Sequence, residues 1–180
     1  MEPNAKIRQV DLAKLKVIHY PDPRLSQIST PVDVVDDGVR ALAARMFELM
    51  FAAKGVGLAA PQVGITVRMF VASPTFDPAD QRVYINPQLV QLEGEQEAEE
   101  GCLSLPDINA KIKRASFAVI RALNLQGEPF EETGEELVAR VFQHEYDHID
   151  GRLLIDRMGS VAKIANRRAI KSLEEDFGQK

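Results

Sequence analysis

Residues 143–151, QHEYDHIDG, constrain the chain more than any other stretch, because they place His144 and His148 four positions apart within a run of helical spacing. In the wider segment TGEELVARVFQHEYDHIDG, Leu137, Val141, His144 and His148 share one stripe, so both imidazoles project from the apolar side. That side faces a core. Imidazoles taken out of water need partners, and one divalent cation satisfies two at once. A helix whose inward face carries metal ligands belongs at the centre of its fold, with other elements packed around it. Thr133 and Glu136 have the spacing of a capping box at its start, and Gly151 stands where its stop is expected. Glu145, directly after the first histidine, is placed to work beside the metal without binding it.

Two ligands leave a site incomplete. A His-Glu-x-x-His helix suggests a zinc peptidase, whose third ligand commonly lies downstream, where Asp150, Asp156, Glu174 and Glu175 are the candidates. No histidine follows His148, so a third imidazole is not among them. The upstream candidate is Cys102 in EEGCLSLP, the single cysteine of the chain. One thiolate with two imidazoles accepts zinc, iron, nickel or cobalt and leaves a position open for water. Taken alone, Cys102 reads as a small buried hydrophobe, and His19, beside a Pro-rich turn, reads as structural.

The remaining pattern gives an α+β fold. Residues 37–54 carry Val39, Leu42, Ala43, Met46, Phe47 and Met50 at helical period, with Asp36 or Asp37 as cap and Lys54-Gly55 as stop. The β-rich runs VRMFVA, RVYINPQLVQLE, AKIKRA and FAVIRALNL then predict a mostly antiparallel sheet of short strands around the histidine helix. Residues 160–177 predict a closing C-terminal helix. A length of 180 residues suits one domain, 1–180, and nothing in the sequence suggests a linker or repeat. No apolar run is long enough for a membrane span, and MEPNAKIRQV has no targeting pattern, so a cytoplasmic location is expected. A net charge of -5 argues against a general or DNA-specific nucleic-acid binder. The basic patch of Arg167, Arg168 and Lys171 reads as a solvated helix face, or as a place for contact with the ribosome.

Three motifs together, GVGLAAPQ (55–62), EGCLSLP (100–106) and QHEYDH (143–148), resemble the pattern of the peptide deformylases, bacterial and organellar, in that family's order. IHYPDPRL, INPQ and GRLLIDRM resemble its flanking text, so the likeness runs from about residue 17 to 158. The resemblance implies Cys102, His144 and His148 as ligands of one divalent metal, ferrous iron in the cell, with zinc common after purification. It implies Glu145 as general base and acid, and the Gln62 side chain and Leu103 backbone N–H as donors to the oxyanion. Val56, Gly57 and Gly101 would border the substrate backbone, and Val56, Leu137 and Val141 the methionine side chain. Glu100 and Arg114 resemble a pair that braces the cysteine loop. The implied substrate is the N-formyl-methionine of newly made polypeptides. The chemistry agrees, since a metal-bound water ionises near neutral pH and Glu145 can carry its proton to the leaving amine. Two positions depart from many relatives: Arg140, where several bacterial members have an apolar residue, and Asn109, where many have Arg or a large aromatic. A zincin-type peptidase, the other reading, would make Cys102 dispensable.

Overall fold

The structure, a computed structural model, describes residues 4–179. A short helix α1 (Ala5–Arg8) precedes α2 (Asp37–Ala52), whose cap is Asp36: its Oδ1 accepts the Val39 N–H at 3.0 Å. All six apolar residues expected on the inner face of α2 are buried. The helix closes with Lys54 in the left-handed region, its N–H on the Phe51 carbonyl and that of Gly55 on the Met50 carbonyl.

Seven strands follow: β1 (Gly57–Ala59), β2 (Met69–Ala72), β3 (Arg82–Glu93), β4 (Gln96–Cys102), β5 (Leu105–Arg114), β6 (Phe117–Leu123) and β7 (Pro129–Glu135). Five form an antiparallel sheet in the order β1-β2-β3-β6-β7, while β4 and β5 pair as a separate hairpin. The period of two sorts β2 between two cores. Met69 and Val71 pack with α2, whereas Phe70 and Ala72 face the histidine helix α3 (Glu136–Ile149) together with Tyr84, Ile120 and Phe142. From Ala139 onward every residue of α3 is buried except His144 and Tyr146, which is the central placement expected of this helix.

Three local expectations change. The capping box at Thr133 does not form, because Thr133 and Glu135 pair with Val119 and Phe117 of β6, and sheet pairing claims the backbone until α3 begins at Glu136. The closing helix divides into α5 (Ser160–Ala165) and α6 (Arg167–Gly178), after a further turn α4 (Leu154–Arg157). At the break, Asn166 Nδ2 donates to the carbonyls of Asn109 and Ala162, both at 3.0 Å, tying the junction to β5. Strands β4 and β7, not singled out in the sequence, are polar along most of their length. At the other end of α3 the expected stop holds: Gly151 has φ 73°, and the N–H groups of Gly151 and Arg152 bond the His148 and Asp147 carbonyls. The hairpin packs Leu105, Ile108 and Ile112 against Leu154 and Met158, with Ile170 and Leu173 of α6 behind them. No helix among the described residues is long and apolar enough to cross a membrane.

Candidate metal centre

The end of the β4–β5 hairpin meets the middle of α3. There Cys102 Sγ lies 3.3 Å from His148 Nε2, and His148 Nε2 lies 3.3 Å from His144 Nε2. The three ligand atoms all fall within 4.8 Å of one another, so this group could hold a metal ion. Metal bonds of about 2.0–2.3 Å in a tetrahedral set put ligand atoms roughly 3.3–3.7 Å apart, and the two separations of 3.3 Å fall at the lower edge of that range. The donor set fits a divalent cation.

His148 is buried and His144 partly so, its ring turned to a cavity of about 550 Å³. The downstream carboxylates are committed elsewhere. Asp150 accepts from Arg68 at 2.8 Å, Asp156 from the Leu153 N–H at 2.8 Å, and Glu174 from the Tyr20 hydroxyl at 2.8 Å. Glu175 pairs with Lys171 at 3.3 Å. The Cys102 sulfur alone completes the set among the described residues.

Behind the ligands lies a buried ionic network. Glu100 Oε2 meets His144 Nδ1 at 3.0 Å, and Arg114 grips the same carboxylate through Nε and Nη2 at 2.7 and 2.9 Å. Glu100 and Arg114 are therefore not a surface pair; their side chains are both 4% exposed. Burial pushes the Glu100 carboxyl up, but the bonds from His144 and Arg114 prevail and hold it at about 2. Arg114 Nη1 continues to Asp147 Oδ2 at 2.9 Å, and Asp147 also pairs with Arg157. Burial presses the His144 imidazolium down, yet the hydrogen bonds to Cys102 and Glu100 lift it to about 10. A proton on His144 and a divalent cation at its Nε2 are alternative counter-charges for the same anionic surroundings.

Glu145 is 4% exposed. Its Oε2 is buried with no hydrogen-bond partner among the described residues. Burial raises its carboxyl to about 7, against the pull of His144 and Arg114. Gly57 makes room for it: a Cβ there would sit 2.4 Å from Glu145 Oε1. The glycine of GVGLAAPQ thus permits close approach to the chain's own acid as well as bordering the cavity. Gln62, on a 3-10 turn (Ala60–Val63), accepts the Ala59 N–H at 2.8 Å through Oε1, which directs Nε2 toward Ser104 Oγ at 3.2 Å and Cys102 Sγ at 3.6 Å.

The same cavity is lined by Val56, Gly57, Gly101, Leu103, Leu137 and Val141, so every contact candidate read from the sequence reaches one place. Val141 is buried in the wall, whereas Leu137 is 48% exposed and is no core residue. Three buried participants, Ser104, Asp147 and the inward-turned head of Arg140, went unread. Asp147 carried a signal, as an acid three positions after His144 on the inner side of the helix, and so did Arg140, singled out four positions before His144, though not its reach to the hairpin.

A model of the polypeptide deformylase family matches residues 14–163. The peptide deformylase of Acidobacterium capsulatum is 48% identical over 160 residues, covering 88% of this chain and 94% of that protein. That of Pseudomonas aeruginosa is 41% identical over 169 residues, 93% and 99% of the two. Among solved structures, a peptide deformylase from Legionella pneumophila superposes with TM-score 0.85 at 39% identity, covering 92% of this chain and 98% of that one. Arabidopsis thaliana peptide deformylase 1B, in complex with an inhibitor, gives 0.88 at 34% identity, covering 92% and 93%.

Proposed function

The chain belongs to the polypeptide deformylase family, and from that premise we propose that Cys102, His144 and His148 hold one divalent cation beside which Glu145 carries the proton. The enzyme hydrolyses the N-formyl group from the N-terminal formyl-methionine of newly made polypeptides, releasing formate and a free amine. The observation that carries the residue assignment is that Cys102 Sγ and His144 Nε2 each lie 3.3 Å from His148 Nε2, near a buried Glu145 oxygen with no hydrogen-bond partner among the described residues.

When bound, the cation acidifies a water molecule and polarises the formyl carbonyl as a Lewis acid. Glu145 takes the proton of the attacking water and delivers it to the departing amine nitrogen, work that suits a carboxyl raised to about 7. Gln62 Nε2, aimed by the bond that Ala59 makes to its Oε1, donates to the carbonyl oxygen as negative charge collects there. The Leu103 N–H does the same from the turn after Cys102. Val56, Gly57 and Gly101 border the substrate main chain, while Leu137 and Val141 wall the part of the cavity that takes the methionine side chain. Asn109, exposed across from Gly101, stands at the rim.

The donor set suits several metals, and the family resemblance points to ferrous iron in the cell. A substrate emerging from the ribosome puts the enzyme in the cytoplasm, and the exposed Arg167, Arg168 and Lys171 on α6 suit contact with ribosomal RNA. We read residues 1–180 as one domain.

The test is formate release from a short N-formyl-methionyl peptide by anaerobically prepared protein, wild type beside Cys102→Ser at matched concentration. Turnover by wild type that disappears in the variant is the expected result. Undiminished turnover by Cys102→Ser would remove the thiolate from the site.

A further inference from the structure

Arg140 lies one turn before His144 on α3 and is 6% exposed. Its Nη1 donates to Glu100 Oε1 at 2.5 Å and approaches the carbonyls of Ala98 and Ile112 at 3.5 and 3.4 Å, while Nη2 donates to Gln96 Oε1 at 3.1 Å. Gln96, Ala98 and Glu100 belong to β4, and Ile112 to β5. One side chain of the histidine helix therefore grips both strands of the hairpin that carries Cys102.

We propose that Arg140 is a positioning residue that sets where the cysteine hairpin stands against α3 and, through Glu100, fixes the ring of His144. This rests on the reading of Cys102, His144 and His148 as metal ligands. The site is assembled from two elements that share no sheet, so its geometry is only as good as their docking. Three other links, Arg114 to Asp147, Gln143 to Ala115 and Gln96 to the Glu136 carbonyl, fasten the hairpin at its open end, and Glu100 reaches His144 midway along it. The contacts of Arg140 run from that end, at Gln96, to Glu100, two residues short of the cysteine. Metal sites need their ligands held within about 0.5 Å, and a guanidinium that bonds to both strands while holding the Glu100 carboxylate that meets His144 restrains the hairpin's tilt more than links to single residues do. The planar fork matters here. A lysine has the charge but is a point donor, unable to meet Gln96, Glu100 and two carbonyls together.

Arg140→Met keeps the bulk of the side chain and leaves Glu100 paired with Arg114, so no buried carboxylate loses all compensation. The experiment titrates metal-free protein with Co2+ alone, following the thiolate-to-cobalt absorption, with thermal melting as the check on folding. Wild type should show the band. Its absence there would overturn the ligand assignment itself, a result separate from failure of the present proposal. Arg140→Met should melt cooperatively yet bind Co2+ about 10- to 100-fold more weakly, with an altered band, the usual range for loss of a group behind the ligands. Arg140→Lys should remain at least several-fold weaker than wild type. Wild-type affinity and spectrum in Arg140→Met would overturn the proposal. So would full recovery in Arg140→Lys, which would make charge and not span the relevant property, and this variant alone decides the matter if Arg140→Met does not fold.

Discussion

Glu145 lies beside two ligands yet touches neither the cation-compensated carboxylate of Glu100 nor, through Oε2, any partner among the described residues. Its ordinary carboxyl pKa is raised to about 7 by burial, so the base form is present above that pH and is lost as pH falls through it. A neighbouring cation favours the carboxylate and shifts the value down. The acid limb of kcat/KM is therefore expected at or below about pH 7, and should vanish from the small residual rate of Glu145→Gln; a limb that persists there unchanged assigns the titration to another group. Gly57→Ala separates activity from stability at one atom, since the new Cβ would lie 2.4 Å from Glu145 Oε1. A flexible carboxylate can step aside, but then it is no longer aimed. Turnover should fall by about 10²-fold, the lower bound for losing a positioned base, while the melting temperature moves by a few degrees at most. At this scale the sequence displayed the chemistry, because His144, Glu145, His148 and Cys102 are reactive residue types in telling places. It did not display Arg140 reaching Gln96 or Glu100 reaching His144, which are contacts between residues about 44 positions apart.

Helices α2 and α3 were legible because each has a face dictated by a core, and β3 was legible down to its ends because its run of Val, Tyr, Ile and Leu stops at Gly94. The polar strands β4 and β7 were not. Their register comes from the partner strand, and β7 took the residues that looked like a helix cap. The split between α5 and α6 was equally hidden, since it depends on Asn166 reaching a carbonyl of β5. The stop of α3 is the junction most sharply specified by one residue: Gly151 has φ 73°, and a Cβ there would meet the Ser26 carbonyl oxygen at 2.7 Å. Gly151→Ala should cost about 1–3 kcal/mol, read from the denaturant midpoint, with the backbone contact pushing toward the upper figure. A change within about 0.5 kcal/mol would mean that α3 ends comfortably without it.

For the molecule as a whole, a metal held by Cys102, His144 and His148 would fasten the β4–β5 hairpin to α3. Removing it with a chelator should lower the melting temperature, and Co2+ or Ni2+ should restore it, by about 2.7 kcal/mol at a free concentration a hundred times Kd. Cys102→Ser should melt at nearly the same temperature with and without chelator; an undiminished metal effect would mean that the cation stabilises some other part of the fold. The fastening also has a place in time. Cys102 and His148 are 46 positions apart, so a chain growing at about 5–20 residues per second makes the thiol a few seconds before the second imidazole exists. Until His148 is made, the group of Cys102, His144 and His148 cannot form, so the protein can take up a metal at this place only late in its own synthesis or after it.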